Sequence, residues 1–387
     1  VAVTTVVVSG ALANKPGNGG EAWVRLSWVV GLRRLGFDVC FVEQIALDAC
    51  IDAAGGRVPA QDSVNAAYFR EVTARFGLGG SSALIGGDGA VVTGMTESDL
   101  LACAETAALL VNISGHLRHA PLLRRFRRTA FVDIDPGFTQ FWHADGTAPL
   151  DDHDVYLTIG ENIGRPDCAI PTGGIRWRPV RQPVVLDDWP VSSHGRPDRF
   201  TTVATWRGPF GPVTAGGRTY GLKVHEFRKV VALPQQAPAR FEIALDIHPA
   251  DGHDRRLLED HGWRLVDPKQ VAADPGAFRS YVQTSGAEFS VAQGIYVDTA
   301  GGWFSDRTVR YLASGKPALV QDTGFGRTLP VGEGLVAFTT LEEAAAGAEE
   351  IAGDYERHSR AARALAETYF DSDLVLARLV EDIGVEP

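Results

Sequence analysis

Short apolar runs alternate with longer stretches of helical periodicity along the chain, and this alternation sets the expected architecture. Val3–Val8 is a β-branched run of the kind that forms a strand covered on both faces in a parallel sheet. A polar, glycine-rich loop follows, Asn14-Lys15-Pro16-Gly17-Asn18-Gly19-Gly20. Glu21–Leu35 then reads as a helix, with Trp23, Leu26, Val30 and Leu35 largely on one face and Gly36 as its stop. Val39–Val42 is the next strand, and a strand–helix–strand unit of this length is a βαβ crossover. Further strands are predicted at Leu109–Ile113, Ala130–Ile134 and Val155–Ile159.

The stretch Pro179–Arg199 carries four prolines and little periodicity, and reads as an interdomain linker. A second α/β set begins at Phe200–Thr205. It continues with a helix near Lys223–Leu233, a strand at Phe241–Leu245, a helix near Arg255–His261, a strand around Phe289–Val291, a helix at Asp306–Ser314 and a strand at Ala318–Val320. The tail is helical over Leu341–Ile351, Tyr355–Tyr369 and Asp373–Ile383. The pattern predicts two Rossmann-like domains facing a cleft, over residues 1–190 and 191–370, with residues 371–387 forming a closing helix.

Composition narrows the class. Hydrophobic residues make up 45% of the chain and charged residues 22%, as in a globular protein. A net charge of −11 argues against a general nucleic-acid binder, because an acidic surface repels phosphate. Only five lysines occur (Lys15, Lys223, Lys229, Lys269 and Lys316), which fits a GC-rich coding bias and draws attention to each one. Cys40, Cys50, Cys103 and Cys168 have no CxxC or metal-ligand spacing, as expected of reduced thiols in a cytoplasmic protein. The first residues lack a basic leader, and no apolar run approaches the ~20 residues of a membrane span, so no signal peptide or integral membrane segment is expected.

The most informative stretch is Gly301-Gly302-Trp303-Phe304-Ser305-Asp306-Arg307-Thr308-Val309-Arg310-Tyr311-Leu312-Ala313-Ser314-Gly315-Lys316-Pro317. Ser305 is an N-cap, Val309, Leu312 and Ala313 form an inward stripe, and Gly315 with Pro317 ends the helix. Glycines ahead of a capped helix admit a pyrophosphate to the positive end of its dipole; an ordinary βα turn with glycines for packing has the same local pattern. The stretch resembles the donor-contacting helix of the GT-B glycosyltransferases. So does the later Gly334-Leu335-Val336-Ala337-Phe338-Thr339-Thr340-Leu341-Glu342-Glu343-Ala344, in the same order and spacing. The specific likeness covers about residues 286–383. More narrowly, the chain resembles bacterial glycosyltransferase-like proteins sharing Asp133-Ile134-Asp135-Pro136-Gly137-Phe138-Thr139-Gln140 and Gly302-Trp303-Phe304-Ser305-Asp306-Arg307.

The resemblance implies a hexosyltransferase that uses a nucleotide-diphosphate sugar as co-substrate, without a bound metal or other cofactor, and passes the sugar to a small-molecule or glycan acceptor. It implies a donor site made mainly by the second domain, and a last helix that returns to the first. Lys223 matches the basic residue that neutralises the donor phosphates, with Arg307 as a second contact. Glu288, seventeen residues before Ser305, holds a sugar hydroxyl or a ribose, or is an edge-strand surface carboxylate. Gly17, Gly19, Gly20, Trp206, His248, Trp303, Ser305, Asp306 and Asp322 complete the implied donor set. The chain departs from the family's pair of glutamates eight positions apart, since position 296 is Tyr296.

Other readings compete. Gly17, Gly19 and Ala22 satisfy G-x-G-x-x-A, and Glu43 stands where a ribose-binding acid would close a dinucleotide fold. The spacing argues against it, because Gly17 lies nine positions beyond Val8 rather than directly after the strand. A nucleotide-sugar epimerase or phosphorylase on the same fold, a NAD(P)-dependent oxidoreductase and a non-catalytic binding protein are the alternatives. Asp151-Asp152-His153-Asp154 and His248–Asp254 offer imidazole with carboxylate, but without H-E-x-x-H spacing or a cysteine partner they read as solvated loops. For the acceptor base the candidates are His116, after the strand Leu109–Ile113, and Asp135, after Ala130–Ile134. His116 is favoured because a near-neutral imidazole takes a hydroxyl proton at physiological pH; a helix cap and an Asp-Pro turn are the plain alternatives.

Overall fold

Two parallel-rich sheets make up the computed structural model, which describes residues 3–150 and 153–387. The first contains β1 (Thr5–Ser9), β2 (Asp38–Ile45), β3 (Ser82–Gly86), β4 (Val91–Gly94), β5 (Leu109–Ile113), β6 (Thr129–Asp133), β7 (Val155–Thr158) and β8 (Trp177–Pro179). Their order is β4-β3-β2-β1-β5-β6-β7-β8, and only β4 runs antiparallel to its neighbour. The second half contributes β9 (Arg199–Thr205), a hairpin of β10 (Val213–Ala215) and β11 (Arg218–Tyr220), β12 (Arg240–Asp246), β13 (Arg264–Val266), β14 (Ala287–Ser290), β15 (Ala318–Gln321) and β16 (Leu335–Phe338). Apart from the hairpin these form one parallel sheet, β13-β12-β9-β14-β15-β16. Each central strand is buried on both faces, as the continuous apolar runs require.

The first helix, Gly19–Arg34, departs from the single apolar face expected of it. Trp23 and Leu26 are buried, but so are Trp28, Val29 and Leu32 around the cylinder. A helix apolar on several sides must be covered on several sides. One side rests on the first sheet. On another, the Trp23 indole N–H donates to the Pro275 carbonyl at 2.8 Å, at the start of the helix Pro275–Gln283. On a third, Gly31 faces Leu376 and Ser372 of the closing helix Ser372–Ile383, so closely that a Cβ at Gly31 would lie 2.5 Å from the Leu376 side chain. Arg34 pairs with Asp373 at 2.9 Å at the edge of this contact. The last helix thus returns to the first half of the chain.

The proline-rich connection is packed rather than loose. Val184, Val185 and Trp189 are buried, and Trp189 meets Trp23 edge-on at 5.2 Å between ring centroids. Arg310, on the helix Asp306–Ala313, is also buried between the two halves. It donates to Asp306 at 2.8 Å and to Ser27 Oγ at 3.3 Å. The carboxyl ends of both sheets open onto the space between them, where parallel α/β sheets form their ligand crevices. Among the described residues, no helix is long and apolar enough to cross a membrane.

Candidate functional site

Two cavities occupy the cleft and share one wall. The outer one, about 670 Å³, runs along the second sheet's carboxyl edge, past Thr205, Asp246 and Asp267, and is closed from the first half by the loop Pro16–Gly20. The inner one, about 470 Å³, lies over the loops that follow β5 and β6 and is lined by His116, Asp135, Phe138, Trp142, Tyr296 and Trp303, among others. Glu21, Val24, Thr205, Lys223, Asp306 and Arg307 border both.

Lys223 and Arg307 are held differently. The Lys223 ammonium makes no hydrogen bond or ion pair among the described residues; its backbone N–H alone is taken, by Gln293 Oε1 at 2.6 Å. Burial, followed by the nearby Arg307 charge, brings its pKa down to about 7. Arg307 is fixed from behind. Its Nε–H donates to Glu288 at 2.5 Å, and its terminal nitrogens donate to the Val203 carbonyl and Ser290 Oγ at 2.9 and 2.8 Å. Ser305 caps the helix as expected, its Oγ accepting from the Arg307 N–H at 3.3 Å. Trp303 stacks on Tyr296, centroids 4.4 Å apart, and borders the inner cavity.

Several expected donor contacts are corrected. Glu288 is fully buried on β14, is paired with Arg307 and lines neither cavity, so it is not a surface carboxylate and does not face the cleft as a sugar or ribose contact would. Trp206 is a core residue: its indole N–H donates to Asp254 at 2.8 Å and its ring packs on Phe227. His248 is exposed and caps a short turn, its Nδ1 accepting from the Ala250 N–H. Asp322 accepts from the Gly324 N–H at 2.8 Å and shapes a turn behind the cleft. Gly17 and Gly20 do border the outer cavity, but Gly19 does not. A Cβ at Gly19 would sit 2.0 Å from the Asp274 carbonyl oxygen, so this glycine allows the two halves to meet. The same holds for Gly301 and Gly302, which face Ile170 and Asn162 and line neither cavity.

On the opposite wall, the stretch Asp133–Gln140 is a hydrogen-bonded brace, tied to β7 through the Thr158 hydroxyl, which donates to Asp133 at 2.7 Å. Buried Asp133 accepts from Thr139 Oγ1 and Gln140 Nε2, each at 2.7 Å, and from the Asp135 N–H at 3.1 Å. Gly137 takes the positive φ of 98° that the turn requires. The brace presents Asp135 to the inner cavity, where Tyr296 O–H donates to it at 2.9 Å. Burial pushes the Asp135 carboxyl up to about 6, against the pull of that hydrogen bond. His116 lines the same cavity, but burial, then the charge of Arg25, drives its imidazole down to about 3. It is therefore neutral and a weak base.

The competing chemistries lose their residues. Glu43, the proposed ribose acid, is buried and accepts from the N–H groups of Leu12, Ala13 and Asn14. Asp251 pairs with Arg207, and Asp254 with Arg228 at 2.8 Å. Asp154 accepts from the Thr129 N–H and hydroxyl; Asp151 and Asp152 lie outside the described residues. Among the described residues, no group of three or more His, Cys, Asp or Glu side chains gathers as a metal site.

No family model matches the sequence, and no curated protein is similar to it at the sequence level. Solved structures do match over the whole chain. An alpha-glucosyltransferase in complex with UDP superposes with a TM-score of 0.57 at 11% identity, covering 99% of this chain and 100% of that one. Anabaena HepE in complex with UDP and glucose gives 0.59 at 10% identity, over 98% and 99% of the two chains. Sucrose-phosphate synthase from Thermosynechococcus elongatus gives 0.54 at 12%, again over 98% and 99%.

The fold is GT-B.

The alpha-glucosyltransferase has also been solved with UDP-glucose and DNA. Within the GT-B cleft, sequence reasoning missed Glu21, Arg25, Lys15, Arg118 and Tyr296, all of which border the inner cavity. Tyr296 carried a signal, since it stands where the second glutamate of the family pattern was expected. Glu21 carried none: an acidic residue in the first turn of a helix is ordinary.

Proposed function

We propose that the protein is a hexosyltransferase that moves a sugar from a nucleotide-diphosphate sugar to a hydroxyl of a small-molecule or glycan acceptor. The observation that carries this reading is the wall shared by the two cavities. Lys223, whose ammonium is unpaired among the described residues, and the braced Arg307 sit where a nucleotide in the outer cavity would place its diphosphate against an acceptor in the inner one. The structural neighbours solved with UDP or UDP-glucose support the donor class. Neutralising the leaving diphosphate is then the work of Lys223, Arg307 and the positive end of the helix Asp306–Ala313, with no bound metal or other cofactor.

In the transfer the acceptor oxygen bonds to the anomeric carbon while the bond from that carbon to the phosphate oxygen breaks and the nucleoside diphosphate leaves with the electron pair. Asp135, rather than His116, takes the acceptor proton, because a carboxylate with a pKa near 6 is ionised at neutral pH and still basic. A net charge of −11 favours an acceptor that is not a nucleic acid. A thermal-shift panel tests the reading. Nucleoside diphosphates should raise the melting temperature, whereas NAD(H) and NADP(H) should not. The reverse pattern would favour an oxidoreductase.

A further inference from the structure

The first-half end of the inner cavity carries two positive charges that the donor does not use. Arg25 is neutralised by Glu21, four residues before it. Lys15 and Arg118 form no ion pair among the described residues, although the Lys15 charge lies near enough to Glu21 to help lower its pKa. The Lys15 ammonium makes no hydrogen bond there, and the Arg118 guanidinium donates only its Nε–H, to the Gly115 carbonyl at 3.2 Å. Both side chains line the cavity, and both lie close enough to His116 for their charges to oppose its protonation.

The loops bearing these cations are fixed from one place. Glu43 at the end of β2 holds the Lys15 loop through three backbone N–H groups. Its neighbour Gln44 holds the other loop, its Oε1 accepting from the N–H groups of Arg118 and His119 at 2.7 and 2.9 Å. Asn112 pins the same loop by exchanging hydrogen bonds with the backbone of Leu117. Polar anchoring of this kind presets the spacing of two cations for a ligand. Across the cavity, Phe138, Trp142 and Phe210 form a wall of rings with centroids 4.9 to 5.4 Å apart. Such a wall accepts the C–H face of a ring or an alkyl chain.

We propose that Lys15 and Arg118 bind the phosphate of a phosphorylated small acceptor, whose apolar face rests on the Phe138–Trp142–Phe210 wall. A phosphomonoester carries about −1.5 to −2 charges at pH 7 and three acceptor oxygens, which matches one ammonium and one guanidinium. This inference rests on the division of the cleft into donor and acceptor halves proposed above.

The test is a calorimetric titration of inorganic phosphate and glucose 6-phosphate, with glucose as control, into the protein saturated with UDP. It is repeated with Lys15→Ala/Arg118→Ala and with the charge-preserving Lys15→Arg/Arg118→Lys. The expected result is that the phosphates bind the parent, glucose binds more weakly, and the alanine pair loses at least tenfold in phosphate affinity. UDP affinity should stay unchanged in both pairs, and the charge-preserving pair should keep most of the phosphate affinity. Equal phosphate affinity in parent and alanine pair, or no phosphate binding by the parent, overturns the proposal. So does a short DNA duplex that binds through the same two residues and is not displaced by phosphate. If UDP fails to bind at all, the donor assignment falls by itself. The phosphate titrations are then run on a Lys223→Ala background, which weakens the competing site equally in parent and alanine pair, and the difference between them still decides the role of Lys15 and Arg118.

Discussion

Tyr296 and Asp135 face each other across the cleft, joined by a hydrogen bond of 2.9 Å from the phenol to the carboxylate. The bond favours the ionised carboxylate, while burial opposes it and brings the pKa to about 6. Removing the phenolic hydroxyl in Tyr296→Phe should therefore raise the Asp135 pKa further. The acidic limb of the rate profile should move to higher pH, and Asp135→Asn should abolish that limb and slow transfer by about 10²–10⁴-fold. Steady-state rates from pH 5 to 8 check both; an unmoved limb in Asp135→Asn would remove this residue from the proton transfer. The same shift has a consequence for folding. Asp135 binds its proton more tightly in the folded chain, so its contribution to stability falls as pH rises from 3.8 to about 6 and is constant above that.

Arg307 and Glu288 form a partly buried ion pair in which only the arginine reaches the cavities. Arg307→Ala leaves the buried carboxylate alone and should destabilise the protein by about 3–5 kcal/mol. Adding Glu288→Gln should restore much of this stability without restoring nucleotide affinity. Chemical denaturation and nucleoside diphosphate titration of the single and double variants separate the two effects. Recovery of affinity in the double variant would mean that Arg307 acts only as the partner of Glu288.

Gly19 sits against the Asp274 carbonyl oxygen, leaving no space for a side chain. Gly19→Ala should cost about 1–3 kcal/mol through displacement of the Pro275–Gln283 helix. Gly17→Ala has open space but a φ of 73°, so it strains the backbone without a clash. A melting temperature lowered by neither change would contradict the packing of this loop.

The diphosphate site is proposed to work by helix dipole and side-chain charge. Turnover should therefore survive exhaustive chelation. Activity lost to EDTA and regained with a divalent cation would show that the leaving group needs a metal.

What could be read from the sequence follows from how local each signal is. The buried strands β1, β5 and β15 declared themselves as apolar runs, and the Ser305 cap and its helix were legible from the local stretch Ser305–Pro317. Trp206, His248 and Asp322 fit the donor reading in sequence because their partners are distant or backbone groups that a one-dimensional pattern does not reveal. Glu288 was misread for the same reason: its role depends on Arg307, nineteen positions away and a neighbour only in the fold. The Asp133–Gln140 motif was recognisable, but its internal division was not, since Asp133 builds the brace and Asp135 faces the cavity.

Lys223 provides the most direct test of the donor site. In the free protein its pKa is about 7, and a bound diphosphate should raise it, so binding takes up a proton whenever the pH exceeds 7. The measurement is the affinity for a nucleoside diphosphate at pH 6.5 and 8.5, in the parent and in Lys223→Ala. The parent should bind more tightly at the lower pH. The variant should lose about 1.5–3 kcal/mol of binding at pH 6.5 and most of the difference between the two pH values. Equal affinity of parent and variant at pH 6.5 would contradict the placement of the diphosphate between Lys223 and Arg307.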